Sequence, residues 1–188
     1  MGLFHFSDRG DISRFSPRPP VRHPDAEPLV YAIDEWHSPL YLFPRDCPRI
    51  GLWPTDTTSA ADREAFSGPG RMRLLIDREF EEALHRETIF RYEFDPAQGF
   101  IDCQDHGVWV SRQDVVPTSI EIIFDMQKAL RRQGIEVEVV PSLAEAAWEF
   151  FDFDKKQFRT TLHVSMIRMS LLPDWEHEVG KPVAPRAR

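Results

Sequence analysis

Cysteine is scarce: Cys47 and Cys103 are the only two in 188 residues. A disulfide framework needs more, so stability has to come from burial, and a reducing cytoplasm is the expected setting. Long apolar runs are missing, and none approaches the roughly 20 residues of a membrane-spanning helix. The start, Met1-Gly2-Leu3-Phe4-His5, lacks the basic lead and apolar stretch of a signal peptide. Ser7 stands one place too late for the usual myristoylation motif. The expectation is an untargeted cytoplasmic protein with no membrane partner. Positive charge is in deficit, with 23 Lys+Arg against 31 Asp+Glu and a formal net charge of −8. A general nucleic-acid coat protein needs the opposite balance, so only a local basic groove or contact with an RNA end is expected. No glycine-rich dinucleotide loop or phosphate loop follows a strand pattern, no G-x-S-x-G elbow occurs, and no internal repeat is seen. That disfavours a doubly wound nucleotide fold and one class of serine hydrolase.

What is present is a globular composition, 41% hydrophobic and 29% charged. Leu3 through Phe6 predict a buried strand ending in a turn at Ser7-Asp8-Arg9-Gly10. Five prolines between positions 11 and 28 exclude a sheet interior there, and this loop carries Arg14, Arg18, Arg22 and His23. It reads as a solvated surface loop or as an anion-contacting one. Leu29 to Ile33 predict a second strand. Ser38-Pro39 predicts a helix N-cap followed by proline, with Leu40, Tyr41, Leu42 and Phe43 in the helix. Strands are expected at 50–53, 72–76, 89–94, 107–111 and 135–139, with an irregular segment between the third and fourth. Helices are expected at 59–66, after Asp77, over 120–130 behind Thr118-Ser119-Ile120-Glu121, and after Ser142. Gly68-Pro69-Gly70 should break the chain, and residues 159–169 read equally as strand or helix. Helices and strands mix without a βαβ beat, so the expected fold is α+β. It should form one compact domain over 1–172 with two small split sheets, flanking helices and a flexible tail over 173–188.

Few residues carry chemistry. His5 points away from Phe4 and Phe6 on a period of two, and is either a satisfied structural histidine or a ligand-contacting one. Ser7 adds a hydroxyl at the strand end. Tyr31 and Tyr41 are its natural aromatic neighbours, or else core and rim packing. In Tyr41-Leu42-Phe43-Pro44-Arg45-Asp46-Cys47-Pro48-Arg49 the two arginines offer forks for phosphate or carboxylate, unless Asp46 takes one of them. Cys47 beside them is either an activated thiol or a buried inert one. Asp102-Cys103-Gln104-Asp105-His106 holds two metal-capable groups three apart but no second pair, which favours a polar loop over a metal site. The remaining histidines are scattered.

The boxes Leu3-Phe4-His5-Phe6-Ser7, Val30-Tyr31-Ala32-Ile33-Asp34 and Tyr41 to Arg49 resemble an uncharacterised bacterial family of small domains. Gly107-Val108-Trp109-Val110-Ser111, Val116-Pro117 and Gly134-Ile135-Glu136 continue the likeness. It spans residues 1 to about 170 and departs at Ala144-Glu145-Ala146, where a Trp-Pro type sequence is expected. More distantly, the strand ending in His5-Phe6-Ser7 resembles the first motif of ADP-ribosyltransferase-like folds. The strand Val30-Tyr31-Ala32 leading to Ser38-Pro39-Leu40-Tyr41 resembles their second, and Val108-Trp109-Val110-Ser111 the strand after their third. The resemblance implies a cofactor, NAD, with His5 and Tyr41 as the catalytic pair. The order of aromatic, imidazole and guanidinium groups in the first 50 residues adds Ser7 and Tyr31 as cofactor contacts, with Arg18 or Arg45 near phosphate. The glutamate of that family would fall at Gly107 here. The implied activity is therefore NAD-dependent transfer of an RNA phosphotransferase-like kind or one using another carboxylate. The alternative is a binding or interaction module with a retired site. A small nucleotide is the expected ligand, and no metal is expected.

Overall fold

The computed structural model describes residues 2–20, 24–66, 70–176 and 181–182. In chain order its strands are β1 (Leu3–Ser7), β2 (Val30–Asp34), β3 (Arg49–Trp53), β4 (Arg73–Asp77), β5 (Ile89–Phe94), β6 (Ile101–Asp105) and β7 (Val108–Ser111). They continue with β8 (Ser119–Ile123), β9 (Val137–Val140), β10 (Phe151–Asp152), β11 (Gln157–Phe158), β12 (His163–Ile167), β13 (Trp175–Glu176) and β14 (Lys181–Pro182). The α-helices are short: α1 (Ala60–Ala65), α2 (Ala83–Arg86), α3 (Met126–Arg132) and α4 (Leu143–Phe150). The class is α+β, as the mixed sequence patterns predict. The expected domain divides into two compact units, each made of separate stretches of chain. The first is Met1–Arg45 with Glu87–Met126, and the second is Asp46–Arg86 with Gln127–Arg188.

In the first unit one antiparallel sheet of six strands runs in the order β6-β7-β2-β1-β5-β8. Alternation along β1 puts Leu3 and His5 on one face and Phe4 and Phe6 on the other. Leu3 joins Phe15, Val30, Ala32, Tyr92, Phe94, Phe100 and Val115 in a buried cluster. The first part of the proline-rich loop is pinned to this cluster through Phe15. Phe15 and Val115 exchange two backbone hydrogen bonds of 2.9 Å. The Phe15 ring meets Tyr92 and Phe94 edge-on at 5.0 and 5.1 Å. Burying one such ring contributes roughly 1.5–3 kcal/mol, enough to hold a loop that lacks a ladder of its own. The Tyr92 hydroxyl accepts from the Ile12 amide at 3.2 Å and donates to the Arg9 carbonyl at 2.7 Å.

In the second unit a four-stranded sheet runs β12-β3-β4-β9, with β4 and β9 parallel. α4 lays Leu143, Ala144, Ala147 and Phe150 against Ile50, Leu52 and Leu75. Its start behaves as the capping box predicts, with Ser142 Oγ accepting from the Glu145 amide at 3.0 Å. Two ribbons, β10-β11 and β13-β14, complete the unit. The two expected small sheets are therefore one of six strands, one of four and two ribbons.

Four local readings change. Residues 119–123 form the edge strand β8, and the helix begins only at Met126. Ile120, Ile123 and Phe124 fit a helical stripe, but β-branched isoleucines beside the open edge of β5 take the strand, and Phe124 is 67% exposed. Ser38 does not cap its helix. The N-cap is His37, the element is a 3₁₀ turn over Ser38–Tyr41, and the Ser38 hydroxyl donates back to the Glu35 carbonyl. The segment expected to be irregular contains β6, a fully exposed edge strand without apolar alternation to betray it. Trp175, placed in the expected tail, is buried in the second unit's cluster. Of the rest of that tail, Pro173, Asp174, Glu176, Lys181 and Pro182 are described and the remainder lies outside the described residues, as do Gly68 and Pro69 and the loop residues Arg22 and His23.

Candidate functional site

The ladder between β1 and β2 registers only Leu3 with Asp34 and Phe4 with Ile33. On its other side β1 pairs with β5 through all five residues. Past Phe4, the His5 ring takes up the contact with β2, its Nδ1 lying 2.9 Å from the Tyr31 carbonyl oxygen. A carbonyl only accepts, so Nδ1 carries the proton and the Nε2 of the neutral ring carries a lone pair. Among the described residues Nε2 has no hydrogen-bond partner. Phe15 walls the ring at 4.9 Å between centroids. Burial lowers the His5 pKa below its ordinary 6.5; the bond to Tyr31 opposes this in part, and the charges of Arg18 and Arg45 add to it. The group near neutral pH is an imidazole, not an imidazolium.

The two cations reach this place by different routes. Arg18 is set by a bridge to Leu29, with backbone bonds of 3.3 and 3.2 Å. Its guanidinium has no ion-pair partner among the described residues. Arg45 follows the 3₁₀ turn and donates to Asp8 Oδ1 at 2.7 Å. Desolvation pushes the Asp8 carboxyl up, but the Arg45 hydrogen bond and charge outweigh it and hold the group below its ordinary value. Ser7 accepts the Arg9 amide at 3.1 Å and so shapes the turn after β1.

Tyr31 contributes its carbonyl to His5 and leaves its side chain 40% exposed. Tyr41 lies near-parallel to Phe6, at 6.3 Å and 16°. Alternation puts Phe6 on the face of β1 away from His5, so Tyr41 stands with Phe6 and not beside the imidazole. The structure thus gathers His5, the Tyr31 carbonyl, Arg18 and Arg45 into one electrostatic neighbourhood. Arg49 is 4% exposed, and its Nη1 donates to the Cys47 carbonyl at 2.8 Å, so it braces the loop. Cys47 is fully buried, with its thiol against the Pro48 carbonyl. Cys103 lies on β6, where desolvation and the charges of Asp102 and Asp105 push its thiol pKa up, the wrong direction for a ready nucleophile. Among the described residues no group of three or more His, Cys, Asp or Glu side chains is placed to hold a metal ion. Among them, too, no helix is long and apolar enough to cross a membrane.

One pair escaped the sequence reading. Asp34 and His37, three apart after β2, are bonded side chain to side chain at 2.9 Å. The available signal was a D-x-x-H spacing directly after a strand.

A family model, described as a family of unknown function (DUF6886), matches residues 4–171. The chain belongs to this family. The match covers both boxes around His5 and Tyr41 and most of both units. No curated protein and no solved structure matches the chain.

Proposed function

We propose that the first unit of this DUF6886 domain binds a nucleotide carrying a diphosphate, NAD in the first instance, and acts on it as an ADP-ribosyltransferase-like or RNA phosphotransferase-like transferase. The observation that carries this reading is the state of His5. It is a neutral imidazole tied through Nδ1 to Tyr31, with an acceptor nitrogen left over and two guanidinium groups close enough to depress its pKa. A sugar hydroxyl suits the acceptor, and a diphosphate suits the cations, of which Arg18 has no carboxylate partner among the described residues. Two cations around one imidazole stand out in a chain of net charge −8. The Tyr31 ring lies on the face of the sheet away from His5 and takes no part here. The distant likeness of the His5-Phe6-Ser7 strand to nucleotide-handling folds agrees with the same ligand class. The chemistry of the residues therefore fits NAD. His5 would hold a ribose hydroxyl, and Arg18 with Arg45 the diphosphate. When bound, NAD would supply an activated glycosidic bond.

Calorimetric titration with NAD, ADP-ribose and a 5′-phosphorylated RNA oligonucleotide tests this reading. Binding of NAD or ADP-ribose is expected, weakened about tenfold or more in His5→Ala and in Arg18→Ala, the scale of one charge-assisted hydrogen bond. Binding of the RNA alone would move the site to RNA-end recognition. Silence with all three ligands at millimolar concentration would end the nucleotide reading.

A further inference from the structure

The six-stranded sheet ends in two unlike edges. At one end β6 is blunted against further pairing. It carries Asp102 and Asp105, its register against β7 breaks between these two residues, and Gln104 takes a left-handed φ of +54°. Charge, an irregular ladder and a local bend are the usual means of keeping a strand edge from pairing. At the other end β8 has none of them. Its ladder with β5 runs unbroken through five pairs, from Ile89 with Ile123 to Glu93 with Ser119. The segment Ser119-Ile120-Glu121-Ile122-Ile123-Phe124 holds no proline, glycine or lysine. Its one charged side chain, Glu121, is paired with Arg91 on β5. Among the described residues β5 is the only strand beside β8, and Ile120, Ile122 and Phe124 are exposed. An apolar edge of this kind is a template for another strand.

The pattern of β8 fits its own copy. A two-fold axis normal to the sheet makes two copies antiparallel and keeps the same face of each on the same side, so residues meet across the seam in pairs from one face. With the axis at Ile122, Ile122 lies opposite its copy and Ile120 lies opposite Phe124. The three exposed apolar side chains of each chain then join in one stripe. Glu121 falls opposite Ile123, so no like charges meet. Moving the axis to Glu121 sets two carboxylates face to face and puts Phe124 against Thr118. Moving it to Ile123 sets Glu121 against Asp125. Like charges directly opposite are unfavourable, so charge and apolar pattern select the same register. The blunted β6 leaves each copy one open edge, and association therefore closes at two chains instead of growing into a longer sheet.

We propose that β8 is a self-association surface, through which two copies of this chain join their six-stranded sheets antiparallel about Ile122. The contact is small and owes nothing to a ligand at His5. Three apolar side chains and one strand edge bury roughly 300–400 Å² per copy, against about 800 Å² per partner in a standard interface. The dimer is accordingly reversible, with a dissociation constant on the order of 100 µM, and the monomer prevails at micromolar concentration.

Sedimentation equilibrium of the full chain, from about 5 µM to about 1 mM, brackets that constant. The weight-average mass should climb from that of one chain towards that of two and no further. Ile122→Lys sets two ammonium groups opposite each other at the axis and should raise the dissociation constant about tenfold or more. Phe124→Lys, opposite Ile120, should weaken the pair as well, and it serves should Ile122→Lys fail to fold. Ile101→Lys, at an exposed position of β6, should change nothing. Hydrogen exchange reads the wild type alone. Amides of residues 119–124 should exchange more slowly at the high concentration than at the low one, and those of β6 alike at both. A chain that stays monomeric throughout leaves the edge to a foreign strand and overturns the proposal. So does a dimer whose β8 amides are not slowed, one that both Ile122→Lys and Phe124→Lys leave intact, one that Ile101→Lys dissolves, or a mass that keeps rising past two chains.

Discussion

His5 illustrates how a single residue's environment sets its chemistry. The folded chain binds a proton at His5 less readily than the unfolded chain does, because burial outweighs the bond to Tyr31. Above the ordinary value of 6.5 both states are neutral and the contribution of His5 to stability is fully present. As the pH falls through that value the unfolded state takes up the proton first, and stability falls with it. The loss levels off once the pH drops below the lowered folded value. Melting temperatures of wild type and His5→Gln, followed from about pH 8 to about pH 5, should therefore converge as the pH falls. A constant difference across the range would mean that His5 titrates alike in both states. Asp34 and His37 act as a pair of another kind, in which Gly107 matters for the side chain it lacks.

At the scale of elements, β8 and α3 show where periodicity misleads. Ile120, Ile122 and Phe124 fall on one side of β8 and its extension, exposed by 47%, 50% and 67%, while Ile123 faces inward at 7%. A helix over the same residues would have buried Phe124. Phe124→Lys should accordingly change stability by less than about 0.5 kcal/mol, as surface substitutions do. Ile123→Lys buries an unpaired charge and should cost several times more, on the order of 3 kcal/mol. Urea denaturation of the two variants separates strand from helix, and an equal loss in both would contradict the strand. The opposite edge of the sheet is protected differently. β6 carries Asp102 and Asp105 and an irregular register against β7, devices that discourage further strand pairing. On β8 the single carboxylate, Glu121, is already paired with Arg91 at 2.6 Å.

At the scale of the whole molecule, neither unit is continuous in sequence. β1 and β2 come before the second unit's first stretch, and β5 to β8 come after it. A fragment ending at Arg86 therefore retains only two strands of the six-stranded sheet. It also loses Tyr92, Phe94, Phe100 and Val115 from the cluster around Leu3. Two strands alone are marginal in water, so this fragment should show no cooperative melt by circular dichroism and should be cut rapidly by protease. A sharp transition in it would contradict the division into units. The Asp34–His37 pair depends on the same discontinuity, because Gly107 arrives from the second stretch of the unit.

The sequence by itself determined what local forces decide. Strands β1, β2, β3, β4, β5, β7 and β9 are legible because apolar and β-branched residues leave few alternatives. Ser142 announces its helix because a short hydroxyl caps an N-terminus. The α+β class follows from the mixture, and His5 stands out by its place among phenylalanines. Only the tertiary structure decided the rest. Residues 119–123 become a strand because β5 offers an open edge, a partner that lies 26 to 34 residues away and leaves no local mark. Tyr41 parts from His5 because the two face opposite sides of β1, which spacing across a loop does not reveal. The bridge to Leu29 sets Arg18 where its charge is felt at His5, and Arg49 is drawn inside to brace Cys47. Asp34 and His37 look like two scattered residues until a turn from more than 65 positions onward closes on them through Gly107. Electrostatic environment depends on distances through space, and those are fixed only when the whole chain has folded.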